Sequence, residues 1–290
     1  MLYKLLIVTA LFCFGLNLNA QIKKTGAVAI EEQFVLILGD SIFASKYECS
    51  NQQYANFLAA NPDSAKHVPD SIGWTFQPHF NRISKYYAKF GETYYNNPVY
   101  AQYPVVNISW ESANEYCVWL TNYYNNLPDR KYKKVQFRLP KPRTWEIAAF
   151  GPQEKGKKNT MVFPWEGKST RNEKGVYLAN FAPITDAIIK RDSTGQLQFT
   201  SQLPSGTDIE TDGYIYTAPC IGPYPTNSFG LHHMAGNVSE FTAMKHITKG
   251  GGFFSPGYYL QVKNNEPEFP NLEKGAAFVG FRPFMYVLEK

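Results

Sequence analysis

Apolar and polar positions along this chain fall into two regimes. Up to about residue 150 they recur with the periods of regular structure; beyond it, aromatic, glycine and polar residues come in short clusters with no steady period. Residues 34–38 (FVLIL) form a compact apolar run with strand character. Ser50 with Gln53 three positions later has the pattern of a capping box, and Tyr54, Phe57 and Leu58 share one face, so a helix is predicted that Asn61 and Pro62 end. Ser109 caps a second helix, in which Ala113, Tyr116, Cys117, Leu120 and Tyr124 fall at helical spacing and point Cys117 into a core. Asn125, Asn126 and Pro128 break it, and Lys131, Lys133 and Lys134 read as a solvated turn. Residues 135–139 predict a strand, and Pro142 suits the first turn of a short helix through Phe150. The polar, lysine-rich stretch 151–160 is a loop.

Two segments depart from these patterns. At the start, Lys4, the apolar residues 5–16 and the sequence Leu18, Asn19, Ala20 before Gln21 predict an export signal over residues 1–20, followed by a short polar N-terminal segment at 21–33. The apolar run is short of the roughly 20 residues a membrane span needs. Cys13 lies inside that run after Phe12, where a lipid-anchor motif would carry a small residue, so a soluble exported protein, periplasmic or extracellular, is expected. Between residues 74 and 103 the chain is irregular and rich in tyrosine (86, 87, 94, 95, 100 and 103). Such a stretch is either a loop pinned to the body by its own rings or a stacking platform for sugars, and the first reading is preferred.

Composition narrows the classes. The 290 residues are 44% hydrophobic and 18% charged, which excludes a disordered chain, and 16% aromatic, which favours sheet and loop packing over a helical bundle. The net charge of +5 is spread along the chain with no basic block, so nucleic acid is not an expected partner. Without Cys13, the four cysteines leave Cys49, Cys117 and Cys220, read as buried apolar thiols with no zinc-type spacing. No nucleophile elbow, phosphate loop or dinucleotide fingerprint is present. Residues 34–290 read as one domain with much irregular chain, and such chain needs a source of order; with few cysteines, a bound metal is the candidate.

The clusters occur in a telling order. They are YPVVNISW at 103–110, YCVW at 116–119, FRLP at 137–140 with Trp145, Glu146, Ala148 and Ala149, and FPW at 163–165. ANF at 179–181, TAP at 217–219, Pro225 with Asn227 and residues 229–231, MAGNVSE at 234–240, KGG at 249–251 and GFR at 280–282 complete the set. In this order, from Glu48 to Arg282, they resemble the formylglycine-generating enzyme or sulfatase-modifying-factor family. The resemblance implies a single α+β, C-type-lectin-like domain with low secondary-structure content and long irregular loops, ordered by calcium.

Functional residues carry over position by position. The family's oxidase chemistry uses two cysteines, five positions apart after the glycine turn, that hold copper(I); here Ser255 and Leu260 stand at those places, and a hydroxyl and an alkyl chain cannot make a two-thiolate site. The five histidines (67, 79, 232, 233 and 246) include no pair at one-turn spacing, so the family's iron-dependent chemistry lacks its ligands. For calcium, which takes roughly 6–8 hard oxygen ligands, the family's first site maps onto Asn180, Phe181, Asp212 and Tyr214. Its second maps onto Gly236, Val238 and Glu240, with His233, a poor calcium ligand, at the fourth place. The family's helix cysteine pairs with one just past the GFR motif, where this chain has Pro283, so Cys117 is expected to be free. Together these imply an exported, non-catalytic family member: a structural or interaction component of the cell envelope with a protein partner, of a secretion or gliding apparatus, with one calcium and no copper. A modifying oxidoreductase using the same cleft and a glycan-binding module on the tyrosine-rich segment are the alternatives.

Overall fold

A computed structural model describes residues 26–75, 90–91, 93–152, 160–182, 188–193, 197–200, 214, 216–269, 272 and 274–290. The expected signal at 1–20, the beginning of the 21–33 segment, Tyr86, Tyr87, His79 and Asp212 lie outside them. The periodic half of the sequence folds as its pattern predicts. Helix α2 (Asn51–Ala60) opens with a complete capping box: the Ser50 hydroxyl accepts the Gln53 N–H, and the Gln53 side chain accepts the Ser50 N–H. Helix α3 (Trp110–Asn125) is capped by Ser109 and buries Ala113, Tyr116, Cys117, Leu120 and Tyr124. Helix α4 (Pro142–Phe150) starts on its proline and stops at Gly151.

One further helix has no periodic signal because it is only five residues long. Helix α1 (Ala27–Glu31) buries Ala27 completely, and Asp129 accepts the Ala27 N–H. Glu31 accepts hydrogen bonds from the Tyr124 hydroxyl and the Lys131 amide. The packed body therefore extends back to Gly26 through part of the segment expected to be polar.

Strands β1 (Phe34–Leu38), β2 (Ile42–Ser45), β3 (Lys134–Arg138) and β9 (Phe284–Glu289) form an antiparallel sheet in the order β1-β2-β9-β3. Strand β9 shows no alternation because its first three residues, Phe284, Met285 and Tyr286, are all buried between neighbouring strands and two apolar clusters. A hairpin of β4 (Ile188–Arg191) and β5 (Leu197–Thr200) follows α4 in the chain. Strands β6 (Ser239–Phe241), β7 (Thr248–Lys249) and β8 (Val279–Gly280) make a small sheet in which β6 and β8 run parallel. This is the α+β architecture the resemblance implies.

The described tyrosines of the 74–103 stretch turn inward. The Tyr94 hydroxyl donates to the Pro104 carbonyl and the Tyr95 hydroxyl to that of Val106, while Tyr100 and Tyr103 pack against the main core. No helix among the described residues is long and apolar enough to cross a membrane.

Candidate functional site

The glycine turn at residues 250–252 fixes the position where the family's chemistry would sit. Gly251 has φ +65°, and a Cβ there would lie 3.0 Å from Leu260 Cδ1 and 3.1 Å from Ser255 Cβ. The turn thus brings Ser255 and Leu260 together beside Gly251. Ser255 is fully buried and its hydroxyl is engaged twice, accepting the Gly252 N–H at 2.7 Å and donating to Glu268 Oε2 at 2.8 Å. Leu260 is equally buried, in a cluster with Phe163, Tyr177 and Phe181. A closed serine turn and an alkyl chain offer no soft ligand and no exposed nucleophile.

The three thiols of the body are elsewhere. Cys49 and Cys117 belong to the main core, and the Cys220 N–H bonds to the Gln102 carbonyl; all three are buried and unpaired. Burial pushes each thiol above its usual range, so none is held as a thiolate. Cys117 is free, as the missing partner beyond the GFR motif implies.

Below the turn lies a buried polar hub that sequence patterns did not single out. Arg282 is fully buried and donates through Nε and Nη2 to Glu240, at 2.9 and 2.7 Å, while its other donors reach the carbonyls of Ser45 and His232. The Trp145 indole N–H donates to Glu240 Oε2 at 2.7 Å. Asn237, in a left-handed conformation at φ 64°, donates to Glu48 Oε2 at 2.7 Å, accepts the Ala218 N–H and donates its own N–H to the Asn180 carbonyl. Glu48 and Glu240 thus share the field of one guanidinium. Burial raises the Glu48 carboxyl well above the ordinary carboxylate range, Arg282 opposes the rise and Glu240 adds to it. The motifs at 234–240 and 280–282 mark two of the segments meeting here; nothing in one sequence pairs them with Glu48.

The calcium positions divide. Asn180 is fully buried; its Nδ2 donates to the Tyr216 carbonyl at 2.7 Å, and its Oδ1 is buried with no hydrogen-bond partner. An orphaned hard oxygen suits a calcium ligand. Phe181 follows it in the chain, and the bond to Tyr216 brings the segment carrying Tyr214 alongside; Asp212 lies outside the described residues. At the second position, Gly236 at φ +78° packs so closely on Asn180 that a Cβ would meet the Asn180 carbonyl oxygen at 2.3 Å, and Val238 is buried. Both Glu240 oxygens already face Arg282 and Trp145. His233 donates from Nε2 to the Pro219 carbonyl at 3.0 Å, and burial lowers its pKa to about 3, so it is a neutral imidazole. His232 takes a different partner, its ring lying 5.1 Å from that of Tyr47. Among the described residues no group of three or more His, Cys, Asp or Glu side chains could hold a metal.

Comparison with known proteins gives the family. An inactive C-alpha-formylglycine-generating enzyme 2 from Bos taurus is 28% identical over 145 residues, covering 50% of this chain and 34% of the relative. A formylglycine-generating enzyme from Thermomonospora curvata is 24% identical over 249 residues, 85% of this chain and 66% of that protein. The chain thus spans about a third of the one and just under two thirds of the other. Among solved structures, PvdO from Pseudomonas aeruginosa aligns over 84% of this chain and 80% of its own, at 17% identity and a TM-score of 0.47. The family model for the sulfatase-modifying factor enzyme 1-like domain matches residues 35–285, from the first strand to the last and across the glycine turn and the buried hub, and the chain belongs to that family.

Proposed function

We propose that this protein is a non-catalytic member of its family, an exported structural and interaction component of the cell envelope. The observation that carries the reading is the pairing of Ser255 and Leu260, both fully buried, at the turn where a copper enzyme needs two thiolates. The presence of inactive formylglycine-generating enzymes among its relatives supports it. Surface shape is then what the framework preserves, and its partner is an exported or envelope protein of a secretion or gliding apparatus. The glycan reading on the tyrosine-rich segment has little support, because the described rings are turned inward.

One calcium ion orders the middle of the chain in this reading, held by Asn180, Phe181, Asp212 and Tyr214; the unpartnered Asn180 Oδ1 supports it. Glu240, already ion-paired, contributes no second site. The ion would supply charge to oppose Asp212 and closure of the loop before it, and no chemical step.

The test is direct. Purified protein with copper(I) and a sulfatase-type CxPxR peptide should give no formylglycine by mass spectrometry; product would refute the reading. Co-purification from the native envelope should return a defined protein partner, and N-terminal sequencing of the exported form should begin at Gln21. For calcium, excess chelator should lower the Tm and Asp212→Ala should abolish that response; an identical Tm in calcium and chelator, with no ion by elemental analysis, would remove calcium from the reading.

A further inference from the structure

We propose that a pocket where α1, α2 and α3 meet binds one neutral pyranose sugar unit. The pocket holds about 170 Å³ and shares no residue with the Ser255 turn or the calcium positions. A dry cavity of roughly 150 Å³ accommodates one benzene, so the space takes one six-membered ring, with part of a sugar's substituents left outside it.

Its chemistry selects the kind of ring. No Asp, Glu, Lys, Arg or His side chain lines it, so a charged ligand would lose hydration with no counter-ion to replace it. One wall is aromatic: Trp119 and Tyr123, one turn apart on α3, stack with centroids 5.6 Å apart and planes at 17°, and Tyr123 remains 40% exposed. Such a wall suits the C–H face of a sugar ring, which is apolar while its edge is polar.

Three carboxamides, Gln33, Gln53 and Asn56, line the same pocket. A carboxamide carries two N–H donors and an acceptor oxygen. Gln33 gives one donor to the Ala29 carbonyl at 3.0 Å, and Gln53 gives one to Gln33 Oε1 at 2.6 Å. Asn56 accepts from Gln52 at 3.2 Å through its oxygen, which leaves its NH2 group. Gln33 and Gln53 are thus fixed through their mutual bond and Asn56 by Gln52, and each keeps an N–H for ring hydroxyls. An apolar ligand would waste those donors, whereas a neutral polyol ring uses both the aromatic wall and the amides.

The test is titration of the full protein with neutral methyl glycosides of hexoses and N-acetylhexosamines, and with neutral oligosaccharides, followed by tryptophan fluorescence and calorimetry. At least one should bind saturably with one-to-one stoichiometry, and a uronic acid or amino sugar of the same ring should bind at least about tenfold more weakly. Tyr123→Ala and Asn56→Ala, both at exposed positions, should each weaken binding by about tenfold (~1.4 kcal/mol) with Tm unchanged. Preference for the oligosaccharide would identify a glycan end as the ligand, and equal affinity a free sugar. No saturable binding, binding untouched by both variants, or tighter binding of benzene-like solutes would overturn the proposal; none of these outcomes bears on the non-catalytic reading, which the peptide assay decides alone.

Discussion

Arg282→Leu isolates the buried hub. The substitution keeps apolar bulk but removes the guanidinium that holds Glu240 through Nε and Nη2 and caps the carbonyls of Ser45 and His232. Glu240 is 1% exposed and Glu48 fully buried, so water cannot take over the cation's part. Breaking a buried pair by removing one partner costs about 3–5 kcal/mol, against a typical total stability of about 5–15 kcal/mol. At roughly 2–4 °C per kcal/mol for a domain of this size, Tm should fall by about 6–20 °C. Urea denaturation should show the same loss.

Two further readouts separate lost charge pairing from lost packing. The double variant Arg282→Leu, Glu240→Gln keeps an acceptor for Trp145 and removes the carboxylate that Arg282 pairs directly, leaving Glu48 as it is in the single variant, and should recover about 1–3 kcal/mol. In the single variant, Glu48 loses the cation that opposes the rise burial imposes, so its carboxyl should be held still further above the ordinary range in the folded state. The folded state then binds more protons above about pH 4.3, so the variant should lose stability as pH rises, and its deficit should be smaller at pH 5 than at pH 8. A loss below about 1 kcal/mol, with no recovery in the double variant, would refute the hub as a source of stability.

Other outcomes follow from single contacts. His233, with its pKa depressed to about 3 by burial, contributes stability that is present above about pH 6.5 and lost as pH falls toward 3; the shift corresponds to on the order of 5 kcal/mol. His233→Gln should remove most of that acid slope in urea titrations between pH 7 and 4, and an unchanged slope would place the acid sensitivity elsewhere. The raised Glu48 acts in the opposite sense, its contribution full below about pH 4.3 and falling as pH rises. Gly236→Ala should cost about 3 kcal/mol or more, since the new Cβ meets backbone at 2.3 Å in a left-handed conformation; stability within 1 kcal/mol of wild type would contradict the close approach. Cys49, Cys117 and Cys220 should react with a thiol reagent only after denaturation and without prior reduction, and a blocked Cys117 would show a bond that the buried free thiol excludes.

The parts legible in the sequence are those whose information is local. Ser50 with Gln53, Ser109 with the apolar positions of α3, and Pro142 at the head of α4 are each decided within a few residues of chain, and each element folds as its pattern predicts. Strands β2 and β9 were not legible, because their neighbours supply the burial that alternation would otherwise signal. The site divides in the same way. Ser255 and Leu260 could be placed by counting from a glycine turn, and Asn180 by its motif. Glu48 could not be joined to Asn237, 189 residues away, because only the folded chain brings them within 2.7 Å. The sugar pocket was invisible for the same reason: its amides come from two segments and its rings from a third.

The position of β9 has a consequence for how the protein is made. It is the latest strand in chain order, yet it lies between β2 and β3 and supplies pairing to both. Until residues 284–289 are available, each of those strands keeps an unsatisfied edge, and Arg282 is not yet present to neutralise Glu240. Such long-range closure is slow compared with local helix formation, and the waiting state exposes pairing edges that invite aggregation. Helices α2 and α3 can form as the chain emerges, but the body cannot close until its C-terminal strand arrives. Truncation before residue 284 should therefore yield not a smaller domain but a chain for chaperones and proteases.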